Sequence, residues 1–294
     1  MAYIGYLLFR FAVFIISRIP FPLLYGVSDI LRFLMFHVFG YRKKIVLANL
    51  RRCFPAKTEI EIQNIAWKFY RNFCDITLES IKTFHLSAKE IKKRANFLST
   101  GLANDLYERN QSFIAICAHY ANWEWCAAVG LYARQKAITI FRPLANPYIN
   151  AYGLKSRETF GMKFVPNHQT SLTFEQHRHQ TIAVTFLADQ NPGSIKKAYW
   201  VKYFDQDTAC PYGPEKHAHN NNLPVYYVRV ERIKRGYYNI ELIPLAENPK
   251  DYAEGEITQK YMSLLEQIVK NKPEDWLWTH RRWKHKKPEP DGMG

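Results

Sequence analysis

The chain has 294 residues, enough for one large domain or two small ones, and its 47% hydrophobic and 23% charged content excludes a mostly disordered polypeptide. Aromatic residues reach 15%, a class that buries large areas and also favours the membrane–water interface. Lys and Arg number 41 against 26 Asp and Glu, and the net charge of +15 points to an anionic partner: nucleic acid, an acidic protein or a phospholipid surface.

Residues 1–41 are the most apolar stretch, but Arg10, Arg18, Asp29 and Arg32 interrupt it, so no clean spanning run of about 18 uncharged residues exists. Nor does a compact apolar core lead to a small-residue cleavage site, as a signal peptide would require. Pro20 and Pro22 divide the segment into helical pieces at roughly 2–18 and 23–40. Each piece suits the membrane interface, and Arg42, Lys43, Lys44, Arg51 and Arg52 follow as cytoplasmic flanking charges do. A helical hairpin buried in a soluble core is the competing reading.

Thr58 and Glu61 have capping-box spacing ahead of a helical pattern that carries Ile62, Ile65, Phe69, Phe73 and Ile76, and Ser87 with Glu90 repeats the signature. From about residue 111, apolar runs of strand length appear at Phe113–Ala118, Ala137–Phe141, Thr181–Ala188 and Val225–Val230. Helix-like segments lie between several of them, around 123–134, 147–160 and 171–179. A further strand, Tyr237–Leu245, would pair with its predecessor across Lys234-Arg235-Gly236, and Glu256–Val269 reads as a late helix. This alternation predicts an α/β fold with a mixed, largely parallel sheet flanked by helices. The expected organisation is a membrane-associated helical segment over 1–41, one catalytic domain over 42–285 and a disordered tail over 286–294.

His119 and Glu124 concentrate the chemistry. An imidazole accepts a proton from an attacking hydroxyl while a nearby acid orients the ring and steadies the imidazolium. On a continuous helix this spacing would place the pair about 140° apart, so it works best at a strand-to-helix junction, with His119 in the turn and Glu124 in the first helical turn. His85 and Glu90 share the spacing, but there Ser87 and Glu90 already account for a helix start.

Ala118-His119-Tyr-Ala-Asn122-Trp123-Glu124 resembles the His-x4-acid block of the bacterial lipid A late acyltransferases, the lauroyl/myristoyl transferase family. Asn49-Leu50 with Phe54-Pro55, Phe141-Arg142-Pro143 with Asn146-Pro147, and Asp189-Gln190 with Pro192-Gly193 are similar to other stretches of that family in order and spacing. The segment from Trp276 through Trp278, His280, Arg281, Arg282 and Trp283 to Lys284 resembles its C-terminal signature, and the likeness spans about 40–285. Asp205 departs from the family, which usually has Gly after the Phe, and this puts the shape of that loop and the acyl-chain or acceptor preference in question.

The resemblance implies a glycerol-phosphate-acyltransferase-like fold at the cytoplasmic face of a bacterial inner membrane. It also implies acyl transfer from an acyl carrier protein thioester to a hydroxyl of a lipid A precursor or related glycolipid, with no cofactor. His119 would be the base and Glu124 its holder, with Arg142 and Arg157 as oxyanion donors. Asp189 ends an apolar strand, where a carboxylate tends to act chemically. Asn122 and Asn146 are the expected substrate-binding amides. Arg281, Arg282 and Lys284, interleaved with Trp276, Trp278 and Trp283, would meet phosphates of the acceptor or an anionic bilayer, with the rings at the interface. Direct attack needs no nucleophilic Ser or Cys, so Cys117 and Cys126 read as core residues. Relatives acting on mannosylated phosphoinositides or other membrane lipids leave the acceptor open.

The five cysteines form no CxxC pair and suggest neither a disulfide framework nor a Cys-based zinc site. His177 with His179 and His217 with His219 have a spacing that could hold metal on a strand, but they fall at a helix end and beside an Asn-rich loop, so no metal is expected. No glycine-rich nucleotide loop occurs. A nucleic-acid binder would fit the charge and aromatics but leaves the apolar N-terminus unexplained.

Overall fold

The computed structural model describes residues 2–288. The N-terminal apolar pieces form helices α1 (Ala2–Ile16) and α2 (Phe21–Phe33), divided at Pro20, and α2 runs on through a wide π turn, Leu34–Val38. Helices α3 (Lys43–Cys53) and α4 (Glu59–Lys82) follow. The capping box at α4 is complete, with the Glu61 carboxylate accepting the Thr58 N–H at 2.8 Å. At α5 (Ala88–Arg94) it is half made: Ser87 accepts the Glu90 N–H, but the Glu90 carboxylate turns to Arg94 at 2.7 Å.

The chain then builds β1 (Ala95–Phe97), α6 (Thr100–Glu108), β2 (Phe113–Cys117), β3 (Lys136–Phe141), α7 (Pro147–Arg157) and β4 (Lys163–Pro166). It continues through α8 (Thr170–Gln176), β5 (Ile182–Leu187), β6 (Ala198–Tyr203), β7 (Gln206–Pro211), α9 (Gly213–Asn221), β8 (Val225–Lys234), β9 (Tyr237–Ala246) and α10 (Glu256–Asn271). Seven strands form one sheet in the order β1-β9-β8-β2-β5-β3-β4, parallel throughout except for the β8–β9 hairpin. Every residue of β2 is buried, which is why its sequence is an unbroken apolar run rather than an alternation. From β2 the chain steps to one side for β3 and β5, then to the other for β8. The direction of winding therefore reverses at β2, and a crevice opens at the carboxyl ends of the strands.

Several expectations are corrected. The segment 123–134 is a 3-10 helix, Trp123–Leu131, and its Gly130 lies so close to the next segment that a Cβ there would sit 2.4 Å from the Phe160 carbonyl oxygen. The Asn-rich segment around His217 and His219 is helix α9 rather than loop. Residues 198–211 form a separate antiparallel hairpin, β6–β7, with Tyr203 paired to Gln206. Its two turn residues, Phe204 (φ 50°) and Asp205 (φ 57°), are both left-handed, the conformation of a tight type I′ connection. The departure at Asp205 is thus a hairpin turn, where glycine is the easier residue. Residues 286–288 carry no regular structure, and the rest of the expected disordered tail lies outside the described residues.

Candidate active site

His119 leaves the carboxyl end of β2, and Asp189 leaves the carboxyl end of β5, the parallel neighbour of β2. Registration of these strands brings the His119 Nδ1 within 2.7 Å of Asp189 Oδ1. The other carboxylate oxygen accepts the Trp276 indole N–H at 2.9 Å. Burial pushes the Asp189 carboxyl upward, but the charge and hydrogen bond of the His119 ring, with the Trp276 indole, bring it below its ordinary value. Asp189 is therefore an anion held in the interior, and Nδ1–H donation to it leaves the His119 Nε2 with a free lone pair.

Glu124 does not hold His119. The expectation is corrected because Arg157, at the end of α7, clasps both Glu124 oxygens at 2.6 and 2.8 Å, a bidentate geometry that aligns two charge-assisted bonds. His119, Glu124, Arg157 and the exposed Arg142 all line one cavity of about 1050 Å³ at the carboxyl ends of the strands. Its inner wall includes Cys126, Ala127, Met162 and Phe164, and its rim carries Lys197 and Lys216. The arrangement can take a proton from a hydroxyl brought to Nε2 and can place guanidinium charge beside a developing oxyanion.

The segment after α10 supports this site from behind. Leu277 N–H donates to the His119 carbonyl at 3.0 Å, and Ala121 N–H donates to the Asp275 carbonyl at 2.8 Å, fixing the loop that carries the imidazole. Trp276 and Trp278 are fully buried, which corrects the expectation that these rings sit at a membrane interface. Arg282 is buried as well and donates to the Ala209 carbonyl at 2.7 Å and to Cys210 Sγ at 2.9 Å, so it pins the chain to β7 and is not free for phosphate. Arg281 and Lys284 are exposed outside the cavity lining.

Asn122 is also corrected. It is buried, its Oδ1 accepts the Trp125 N–H, and its Nδ2 donates to Glu79 Oε2 at 2.7 Å, so it caps the 3-10 helix that carries Glu124 instead of facing the cavity. Asn146 caps α7 and donates to the Ala2 carbonyl at 2.9 Å, a structural joint between α7 and α1.

Sequence reasoning missed the parts played by Trp276, Glu79 and His280. Glu79 is fully buried and receives the hydroxyls of Tyr25 and Tyr238 as well as the Asn122 amide; burial pushes its carboxyl up to about 7. His280 accepts the Asn191 N–H at 3.2 Å, and burial, aided by the nearby Arg282 charge, holds its ring down to about 4. Trp276 and His280 stood in the C-terminal signature without their present roles, and nothing in the sequence marked Glu79. His217 stacks on Phe174, with ring centres 4.8 Å apart, rather than joining His219 as a chelating pair. Among the described residues, no group of three or more His, Cys, Asp or Glu side chains is placed to hold a metal ion.

A family model described as bacterial lipid A biosynthesis acyltransferase matches residues 1–285. The chain is also similar to the lipid A biosynthesis lauroyltransferase of Escherichia coli (strain K12), with 21% identity over 284 residues, covering 96% of this chain and 90% of that protein.

Proposed function

We propose, from the premise that this chain belongs to the bacterial lipid A biosynthesis acyltransferase family and is an acyltransferase, that it moves a fatty acyl chain from an acyl carrier protein thioester to a hydroxyl of a lipid A precursor. The observation that carries the reading is the buried Asp189–His119 pair opening into the large cavity at the sheet's carboxyl ends. Nε2 of His119 removes the hydroxyl proton as the oxygen attacks the thioester carbonyl. The tetrahedral oxyanion forms beside Arg157 and Arg142, and on its collapse the thiolate leaves and takes the proton from the imidazolium. Asp189 steadies that imidazolium, while Glu124 aims the Arg157 guanidinium.

The wall formed by Cys126, Ala127, Met162 and Phe164 suits the acyl chain. Arg142, Lys197 and Lys216 at the rim, with the net charge of +15, favour encounter with an acidic carrier protein. The apolar helix Phe21–Val38 and the flanking basic residues support residence at the cytoplasmic face of the inner membrane.

The test is mass spectrometry of lipids made by detergent-solubilised protein from an acylated carrier protein and a lipid A precursor, with His119→Ala beside the wild type. A gain of one acyl unit that vanishes in the variant is expected. Acylation of a different membrane lipid would displace the acceptor, and full activity of His119→Ala would overturn the mechanism.

A further inference from the structure

The polarity of α2 is reversed for a helix bathed in water. Leu23, Ile30 and Phe33, which share one stripe, are exposed at 66%, 62% and 54%, while Ser28 is fully buried against the protein. Ser28 donates to Asp75 at 2.5 Å, and Asp29 accepts a bidentate Arg235 at 2.9 and 3.0 Å. Arg235 also reaches Asp75, at 2.6 Å, and Arg232 joins the same carboxylate, so the middle of α2 is tied to α4 and to the β8–β9 turn by a network of charges. The turn before α2 is held too, because Lys82 donates to the Ser17 and Ile19 carbonyls at 2.6 and 2.7 Å.

These ties decide between two ways of meeting a bilayer. The run Phe21–Val38 is apolar enough to span, but spanning would draw Asp29, Asp75, Arg232 and Arg235 to the hydrocarbon midplane together with the ends of α4 and the hairpin. Helix α1, at 15 residues, is about 22 Å long, short of a hydrocarbon core. Its exposed side chains, among them Ile4, Leu7, Leu8, Phe11 and Ile15, nevertheless fall on one face, and Arg10 and Arg18 are exposed beside them. That surface continues onto α7: Tyr3 packs edge-on against Tyr148, with centres 5.3 Å apart, and the exposed Leu144 lines the cavity.

We infer that α1 and α2 form a platform lying in the plane of one anionic leaflet, entering it without crossing it, and that the cavity opens at the rim of this platform so that a lipid acceptor arrives sideways from the leaflet. The inference rests on the membrane residence proposed above and specifies its geometry. The occupant is phospholipid because the face is apolar and broad, its border is cationic, and it leads to a cavity of acyl-chain character.

The test adds the full-length chain to preformed vesicles of phosphatidylethanolamine and phosphatidylglycerol. All five native cysteines are buried, so a single introduced thiol reports alone. Ala2→Cys, Arg18→Cys and Lys57→Cys are each treated with a membrane-impermeant maleimide. Equal labelling of all three without detergent is expected, since every site stays on the catalytic side. Protection of Ala2→Cys or Arg18→Cys until detergent is added would overturn the in-plane geometry while leaving membrane residence intact. Leu23→Glu and Ile30→Glu should each lower the vesicle-bound fraction about tenfold on flotation. Unchanged binding of both would overturn the surface assignment, and failure of the wild type to float would overturn membrane residence itself.

Discussion

His119 and Asp189 are separated by 70 residues in sequence and by 2.7 Å in space, and the carboxylate is completed by the indole of Trp276. Asp189→Asn is expected to lower kcat by about 10³–10⁴ with KM little changed, as loss of the orienting anion does in other acid–imidazole pairs. A variant within threefold of wild type would show that His119 works unaided.

Arg157 and Glu124 should act as one unit. Each alanine variant removes the other's partner, so the double variant Glu124→Ala, Arg157→Ala is expected to lose hardly more activity than either single one. The interaction energy from the kcat/KM cycle should be about 1–3 kcal/mol. Additive losses would mean that the bidentate pair has no shared role.

Glu79 predicts a pH dependence of stability. Its folded carboxyl is raised to about 7, so between an unfolded value of about 4.5 and that point the folded chain binds more protons than the unfolded one. The stabilising contribution is present below 4.5 and is lost as pH rises to 7, by about 3 kcal/mol over the window. Urea midpoints of wild type and Glu79→Gln should therefore diverge between these values, with the wild type falling relative to the variant. Parallel curves would refute the assignment.

The β6–β7 turn offers a stabilising change. Asp205 has a φ of 57°, which glycine adopts without a Cβ penalty. Asp205→Gly is expected to stabilise by about 0.5–1 kcal/mol, or about 1–3 °C in Tm. Because Asp205 is not among the cavity-lining residues, acceptor preference should stay as it is. A fall in Tm, or a changed product, would contradict this.

The sheet was largely legible because buried parallel strands are continuous apolar runs, and β2, β3, β5 and β8 announce themselves in that way. Helix α9 was not, since its residues are mostly polar and are held by packing around His217 and Glu215 rather than by helical propensity. The imidazole was legible from its strand-end position. Its partner was not, because strand order decides which carboxylate lies beside it: β5 neighbours β2 in space, whereas Glu124 neighbours His119 only along the chain. The C-terminal signature drew attention by its charge and rings, yet burial turned Trp276, Trp278 and Arg282 inward, and no spacing rule reports that.

Asn49 of α3 grips the Trp278 and His280 carbonyls at 2.9 Å each, and Asn72 of α4 donates to Asp275 at 2.5 Å, so α3 and α4 hold the segment after α10 in place. That segment supplies the indole for Asp189 and the N–H that secures the His119 carbonyl. The proton-accepting ring therefore answers to two amide side chains that never reach the cavity, so a change at Asn49 or Asn72 is felt at the base through this one segment.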